Sequence, residues 1–245
     1  FFRGRIRILQ SKRGYRFAVD APLLADFIRT RESDDALELG AGNGVISLLL
    51  SIKPFRHITA VEIQPSLADL ARRNVVLNGL EGKIQVVLAD IREFDPGRTF
   101  DLIFSNPPYI TKGGGYLSRT SEKSIAKHEI HGSIGNFLRA AADRLKPDGR
   151  ACFIFSERRR GDFMKAAESC GLHVRAVRAV HPRKGEPSNL FLSESRFSAG
   201  PVISLPPLVL FGPKGAYTQE AEEIFSGRIV SPIWDAVPGA PPRPV

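Results

Sequence analysis

Residues 35–53, DALELGAGNGVISLLLSIK, decide the fold of this 245-residue chain. Residues 35–40 have the apolar content of a short buried strand, and residues 43–53 carry apolar side chains at helical spacing. Pro54 lies just beyond the helical stretch, where a helix commonly ends. A strand, a glycine-rich turn and a helix in this order open a β-α-β unit, whose ligands bind at the carboxyl end of the strand.

The same alternation continues along the chain. Further strand patterns occupy residues 57–63, 83–90, 100–105 and 150–156, and helical patterns occupy residues 65–79, 135–149 and 163–169. Two late strands, 173–180 and 189–195, are joined by a linker too short for a crossover helix, so they are expected to be antiparallel. The sequence therefore predicts an α/β fold, a doubly wound, mostly parallel seven-stranded sheet with an antiparallel terminal hairpin.

Four parts of the chain differ in composition. Residues 1–33 form a basic N-terminal segment, and residues 34–212 form the α/β domain. Residues 213–230 contain a C-terminal helix capped by Thr218. Residues 231–245 are rich in proline and are expected to be disordered.

The composition limits the possible partners. Thirty-five Lys and Arg residues against 26 Asp and Glu give a net charge of +9, which is compatible with a nucleic acid partner. Cys152 and Cys170 are expected to be reduced packing residues. No apolar run of membrane-spanning length and no secretory signal occurs, so the sequence favours a cytoplasmic protein.

Acidic residues converge on the glycine-rich turn. Its glycines are spaced G-x-G-x-G, which does not favour a pyrophosphate at the helix start. Glu62 ends the second strand, where a carboxylate can accept both hydroxyls of a ribose, and Asp90 ends the third, where it could accept from an adenine amino group. With Glu38 they place three carboxylates on one sheet edge. An adenosyl ligand with positive sulfonium and amino groups fits this edge.

The fourth strand stops at Asn106-Pro107-Pro108-Tyr109. Two prolines cannot continue a central strand, because neither has an N–H to donate to a neighbour. The stiff loop that results lies on the same edge as the glycine-rich turn, with oxygen acceptors and an aromatic ring next to each other.

These motifs, in this order, resemble those of the Rossmann-like S-adenosylmethionine-dependent methyltransferases that act on amino groups. The resemblance covers roughly residues 36–195 and implies S-adenosyl-L-methionine as cofactor. By it, the residues expected at the cofactor are Glu38, Gly40, Ala41, Gly42, Asn43, Gly44, Glu62, Ile63, Asp90, Ile91 and Asn106. It also implies that Asn106, Pro107 and Tyr109 act on the target nitrogen.

The chemistry of an amine explains these residue types. A ring-conjugated amine is a poor nucleophile, since its lone pair is delocalised. The side-chain oxygen of Asn106 and the backbone carbonyl of Pro107 can each accept one of its N–H groups, which favours a pyramidal nitrogen. Tyr109 can stack on a base that has turned out of its helix or loop.

The N-P-P-Y form leaves the target amine open. It is shared by adenine-N6 methyltransferases and release-factor glutamine methyltransferases, and guanine-N2 enzymes of ribosomal RNA carry N-P-P-F. Residues 9–27 and 212–225 resemble the bacterial tRNA1(Val) adenine-N6 methyltransferase family, which modifies adenine beside the anticodon of a valine tRNA. Val19 departs from the threonine of many members. Residues before 34 leave no room for the helical domain of the release-factor enzymes.

Basic residues flank the motifs and fit an RNA substrate, most simply a tRNA. The residues expected to contact the substrate are Pro108, Tyr109, Lys112, Arg119, Lys127 and Arg183. His128 and His131 have no partners at metal-ligand spacing, so no metal is expected. Residues 110–129 are glycine-rich and are expected to form a mobile lid. The oligomeric state does not follow from the sequence.

Two other classes make different predictions. A nicotinamide-dependent dehydrogenase would use a G-x-G-x-x-G turn and would leave Asn-Pro-Pro-Tyr without a role. A non-catalytic RNA-binding protein with a methyltransferase fold would be expected to lose Asn106 or the glycines, and both are present.

Overall fold

The structure is a computed structural model that describes residues 4–10, 19–108 and 133–228, together with Trp234. In these residues the strands are β1 Asp35–Leu39, β2 His57–Glu62, β3 Ile84–Leu88, β4 Phe100–Ser105, β5 Leu145–Ser156, β6 His173–Arg183, β7 Leu190–Arg196, β8 Ile203–Ser204 and β9 Leu208–Phe211. The α-helices are α1 Asp20–Phe27, α2 Val45–Leu50, α3 Pro65–Leu77, α4 Ile134–Ala142, α5 Arg160–Ser169 and α6 Gln219–Ser226.

One sheet joins all of these strands, in the order β3-β2-β1-β4-β5-β7-β6-β8, with β9 also paired to β6. The pairs from β3 to β5 are parallel, whereas β7 runs antiparallel to both β5 and β6. The predicted doubly wound sheet with an antiparallel end is therefore confirmed. The two short strands β8 and β9 extend the seven expected ones by pairing in parallel with β6.

Side chains alternate between two cores on the two faces of the sheet. On β4, Leu102 and Phe104 belong to the core under α1, α2 and α6, whereas Ile103 belongs to the core under α4 and α5. All three side chains are fully buried. Parallel strands covered by helices on both faces have this pattern, because neither side of the strand meets water.

The helix predicted at residues 135–149 is shorter in the structure. It ends at Ala142, and β5 begins at Leu145, which pairs with Phe100. Pro147 lies inside β5, and the register of the β4–β5 pair shifts between Phe100 and Leu102, close to that proline. Proline breaks the interior of a helix but is tolerated at an irregularity in a strand. Pro147 therefore fits β5 better than the helix predicted at residues 135–149.

Helices α1 and α6 pack on the same core of the sheet. Lys53 follows α2, and its ammonium donates to the carbonyls of Ala25, Asp26 and Ile28 at 2.7, 2.8 and 2.7 Å, where α1 ends. The predicted cap of the C-terminal helix is confirmed, since Thr218 Oγ1 accepts from the N–H of Ala221 at 3.3 Å.

The proposed division at residues 33, 212 and 230 stays a prediction. Within 231–245 the structure describes Trp234, whose indole is buried against Phe27 with ring centroids 5.2 Å apart. The disorder expected for the rest of that tail, and the expected lid at 110–129, lie outside the described residues.

A buried ion pair closes the amino end of the sheet, the edge opposite the glycine-rich turn. The guanidinium of Arg150 pairs with the carboxylate of Asp34 and donates to the carbonyl of Arg29 at 2.8 Å. The two charged side chains are 4% and 1% exposed. Removing either partner leaves the other charge buried and unpaired.

We predict that Asp34→Ala lowers the free energy of unfolding by about 3–5 kcal/mol, because it strands the buried Arg150 charge. Asp69→Ala is the matched control, since the pair of Asp69 with Arg73 is 3.9 Å long and both side chains are more than 60% exposed. The control should cost less than about 1 kcal/mol. Urea denaturation of both variants measures this, and equal losses would contradict the assignment.

Candidate functional site

The glycine-rich turn lies at the carboxyl ends of neighbouring strands. It follows β1, which lies between β2 and β4 in the sheet. The N–H groups of Gly40 and Ala41 both donate to the carbonyl of Val61 at 2.9 Å, so the turn is fixed against the end of β2. The ends of β1, β2 and β4 thus form one continuous edge.

Two of the turn glycines leave little room for a side chain. Gly40 has φ +70°, and a Cβ there would lie 3.1 Å from the Phe137 ring. Gly44 begins α2 with φ +79°, and a Cβ there would lie 3.3 Å from the Cβ of Ala71. Left-handed φ values strain other residues, so both the conformation and the space select glycine.

The carboxylate of Glu62 joins two turns of the backbone. It is buried at the end of β2, and it accepts from the N–H of Gly42 on one oxygen and of Gln64 on the other, both at 2.8 Å. Each carboxylate oxygen can accept two hydrogen bonds. One acceptor position on each oxygen is therefore left for further donors, such as a pair of vicinal hydroxyls.

Glu38 is the second buried carboxyl group at this edge. Its oxygen accepts from the backbone N–H of Ser47 at 3.2 Å and from the Ser47 hydroxyl. Its pKa is raised to about 8, chiefly by burial and also by the negative charge of Glu62, against the opposing effect of the Ser47 hydrogen bonds. At neutral pH the group is therefore largely protonated.

Asp90, expected at an adenine amino group, is paired with an arginine. Its carboxylate accepts from the backbone N–H of Arg92 at 2.9 Å and from the guanidinium of the same residue, whose pKa this hydrogen bond raises. A ligand amino group at Asp90 would have to share that carboxylate with Arg92. Next to it Ile91 is 5% exposed and Ile63 is half-buried, so both can offer apolar contacts near the ends of β2 and β3.

The Asn-Pro-Pro motif follows β4 on the same edge. The hydroxyl of Ser105 donates to the carbonyl of Leu39 at 2.6 Å and so ties the end of β4 to the end of β1. Asn106 is half-buried, Pro107 is buried and Pro108 is exposed.

The other residues expected at the substrate either lie outside the described residues or lie apart from the Asn-Pro-Pro motif. Tyr109, Lys112, Arg119 and Lys127 lie outside the described residues. Arg183 lies at the same edge but at the end of β6, three strands from β4 in the sheet.

Asn74 was missed by the sequence reasoning and contacts the turn from α3. It is fully buried, and its amide donates to the carbonyl of Asn43 at 3.0 Å. The same side chain accepts from the N–H of Leu9 at 2.6 Å and donates to the carbonyl of Leu9 at 3.1 Å. The available signal was a polar residue seven positions after Leu67, on the face of α3 expected to be apolar.

Asn78 makes the same kind of pair one turn later. It accepts from the N–H of Arg7 at 2.9 Å and donates to the carbonyls of Arg7 at 2.7 Å and Asn74 at 2.8 Å, so within the described part of the chain it contacts α3 and the N-terminal segment and not the glycine-rich turn. Asn74 and Asn78 are four residues apart on α3, and their partners Leu9 and Arg7 are two residues apart. The two spacings match because four residues of a helix and two residues of an extended segment have a similar rise.

We predict that Glu38→Gln removes a pH dependence of stability. Between about pH 4.5 and 8 the folded protein holds a proton on Glu38 that the unfolded chain releases, so stability falls as pH rises through this window and the contribution is lost above about pH 8. The wild type should lose on the order of 3–5 kcal/mol more than the variant across the window. Urea denaturation at both ends measures the difference, and parallel pH profiles would refute it.

We predict that Asn74→Ala weakens binding of the expected ligand, S-adenosylmethionine, roughly tenfold, because the variant loses one buried hydrogen bond to the turn. Asn78→Ala is the matched control. It also releases the N-terminal segment but keeps the bond to Asn43, so its affinity should stay within about twofold. Calorimetric titration below the unfolding temperature separates the two variants, and equal affinities would show that Asn74 does not position the turn.

Comparisons with known proteins agree with this geometry. The family model described as "methyltransferase small domain" matches residues 16–165. A protein of Phocaeicola vulgatus named tRNA1(Val) (adenine(37)-N6)-methyltransferase is 30% identical over 175 residues, 71% of this chain and 74% of that protein. A protein of the same name from Pedobacter heparinus is 28% identical over 204 residues, 83% of this chain and 86% of that protein.

A solved structure shows the same fold. It is described as a predicted O-methyltransferase from Agrobacterium tumefaciens, and it superposes with a TM-score of 0.66 at 21% identity, over 85% of this chain and 96% of that chain. At that identity the likeness shows the fold alone.

Two features of the described residues concern metals and membranes. Among residues 4–10, 19–108 and 133–228 and at Trp234, no group of three or more His, Cys, Asp or Glu side chains could hold a metal ion. None of the helices in this part of the chain is long and apolar enough to cross a membrane.

The family match extends over more than half of the sequence and contains the glycine-rich turn, both acidic strand ends and the Asn-Pro-Pro motif. The chain therefore belongs to the methyltransferase small domain family and is an S-adenosylmethionine-dependent N-methyltransferase.

Proposed function

We propose that this enzyme methylates the N6 amino group of an adenine in a tRNA. The adenine is the one next to the anticodon of a valine tRNA, and the reaction takes place in the cytoplasm. The observation that carries the proposal is the Asn-Pro-Pro motif at the end of β4, tied through Ser105 to β1 and hence to the glycine-rich turn. The relatives from Phocaeicola vulgatus and Pedobacter heparinus carry this activity in their names.

The residues at the sheet edge fit S-adenosylmethionine. Glu62 has two free acceptor positions for the ribose hydroxyls, and Asp90 and Ile91 can receive the adenine. Glu38 lies beside Glu62, and a positive sulfonium or amino group bound there would favour loss of the Glu38 proton, so that its carboxylate could pair with the ligand. We assign the cofactor to Glu38, Gly40, Ala41, Gly42, Asn43, Gly44, Glu62, Ile63, Asp90, Ile91 and Asn106. When bound, the cofactor supplies a methyl group on a sulfonium sulfur.

Asn106 and Pro107 act on the target amine. The carbonyl oxygens of the Asn106 side chain and the Pro107 backbone each accept one N–H, so the nitrogen becomes pyramidal with its lone pair free for the new C–N bond. The cofactor would give up the methyl group and keep the electron pair of the methyl–sulfur bond, and the amine would release one proton to water. Both acceptors are half-buried or buried, which strengthens their hydrogen bonds. Tyr109 supplies a stacking face for the base.

The charge of the chain supports an RNA substrate. A net charge of +9 attracts a phosphate backbone, and we assign contacts with the substrate to Pro108, Tyr109, Lys112, Arg119, Lys127 and Arg183. A guanine-N2 target in ribosomal RNA and a glutamine in a release factor are the alternatives with the same motif chemistry.

The direct experiment incubates the enzyme and radiolabelled S-adenosylmethionine with total tRNA, with ribosomal RNA and with a release factor, in three parallel reactions. We expect label in tRNA alone, and N6-methyladenosine after digestion to nucleosides. Label in ribosomal RNA or the release factor would replace the proposed substrate by one of the alternatives. No label in any of the three, with no binding of the cofactor by calorimetry, would refute the enzyme assignment.

We predict that Asn106→Leu abolishes methyl transfer, because it keeps the approximate size of the side chain but removes the acceptor oxygen. Affinity for S-adenosylmethionine should stay within about a few-fold, since the cofactor has its other contacts on β1 and β2. Asn106→Asp is the matched variant that keeps an acceptor, and it should retain part of the activity. Single-turnover rates and calorimetry measure both quantities; a large loss of cofactor affinity in the leucine variant would show that Asn106 is misplaced in this account.

A further inference from the structure

The far end of the sheet extends beyond the edge that holds the Asn-Pro-Pro motif. Ser156 of β5, Leu190 of β7 and Val180 of β6 lie side by side, and β6 continues three residues further to Arg183. β9 accompanies it, with Arg183 opposite Phe211. At about 3.3 Å per residue, this pair of strands extends roughly 10 Å past the end of β5. We call its exposed end, made of Arg183, Lys184, Phe211, Lys214 and Tyr217, the β6–β9 ridge.

Stacked cationic and aromatic groups cover the ridge. The guanidinium of Arg183 lies 5.8 Å from the centre of the Phe211 ring. Phe211 in turn stacks on Tyr217, with ring centroids 4.9 Å apart and an angle of 20° between the planes. Tyr217 is 40% exposed, which is unusual for a large aromatic side chain within a packed stack. The ridge therefore presents a ring to solvent beside a cation.

The charges on the ridge are mostly uncompensated. Lys184 and Lys214 are exposed and make no ion pair with any carboxylate among the described residues. Lys214 lies at the tip of a tight turn closed by the N–H of Gly212 and the carbonyl of Ala216 at 2.8 Å. Arg183 has one acidic partner, Glu186, at 3.3 Å, and its side chain is still 55% exposed.

This combination suits single-stranded nucleic acid. Bases stack on exposed aromatic rings without regard to sequence, and cations next to the ring meet the phosphates. β6 is the third strand from β4, roughly 14 Å away across the sheet. Ser105 at the end of β4 lies level with Val177 of β6, so Arg183 lies six residues, roughly 20 Å, further along the strand direction. The ridge is therefore on the order of 24 Å from the motif that follows β4, within reach of nucleotides a few positions away from a base held at Asn106.

We propose that the β6–β9 ridge binds unpaired nucleotides a few positions away from the target base, with one base stacked on Tyr217 and phosphates on Lys184, Lys214 and Arg183. The inference rests on the proposed RNA substrate. It adds Tyr217, Phe211, Lys184 and Lys214 to the residues expected to contact that substrate.

The purely structural role of Tyr217 makes a different prediction. Its ring also meets Phe225 of α6 edge-on, with centroids 4.7 Å apart. Tyr217→Leu keeps an apolar side chain against Phe225 but removes the stacking face, whereas Tyr217→Phe keeps the face and removes the hydroxyl. If Tyr217 only supports α6, neither substitution should change the affinity for RNA.

The test measures the Kd of each variant for an unmodified valine tRNA transcript, together with the KM for whichever RNA pool the wild type methylates. Tyr217→Leu should weaken RNA binding roughly five- to a hundredfold, with kcat at saturating RNA and the melting temperature close to wild type. Tyr217→Phe should bind as the wild type does. Lys214→Ala should reduce the slope of log Kd against log salt concentration by about one.

Arg72→Ala and Lys165→Ala are the matched controls, since both residues are exposed on helices away from the ridge. Their RNA affinity should not change. The proposal would be overturned if the Kd values of Tyr217→Leu and Lys214→Ala for the transcript both stayed within about twofold of the wild-type value. The product of the wild type decides the proposed function separately: methylation of another nucleotide would alter that function, and the ridge would still be judged by the binding of the variants.

Discussion

The carboxylate of Glu62 fixes the geometry on which the site depends. It accepts from Gly42 in the turn after β1 and from Gln64 in the turn after β2, both at 2.8 Å. These two turns begin α2 and α3, so one buried side chain sets the relative positions of two helix starts. A neutral side chain there could not accept two such bonds with the strength of a carboxylate. The remaining acceptor positions of the same group are the ones assigned to the ribose.

Other buried polar groups support the same turn from different elements. Asn74 holds Asn43 from α3, and Ser47 of α2 binds Glu38 under the turn. At the opposite edge, Asp34 and Arg150 close the amino end of the sheet. This ion pair and the groups that arrange the ligand edge are therefore at opposite ends of the strands. This separation is what allows a variant such as Asp34→Ala to be judged on stability alone.

The sequence predicts those parts of the molecule that follow from local patterns. Strand alternation, the positive-φ glycines and the acidic strand ends all lie where the pattern placed them. The predicted end of α4 was wrong. The helical spacing of residues 135–149 does not show that Leu145 pairs with Phe100, a strand residue far away in the chain. The pairing of Asp90 with Arg92 and the bonds of Asn74 to Leu9 and Asn43 depend on side-chain directions and long-range contacts, which no spacing rule supplies.

A crystal structure of the enzyme with S-adenosylhomocysteine tests the central claim most directly. We predict that both ribose hydroxyls donate to Glu62, while Gly42 and Gln64 keep their bonds to the same carboxylate. The adenine should lie beside Ile91, with its amino group at Asp90 and the guanidinium of Arg92 displaced or shared. Density for the ligand elsewhere, or a ribose that does not contact Glu62, would contradict the assignment of this edge as the cofactor site.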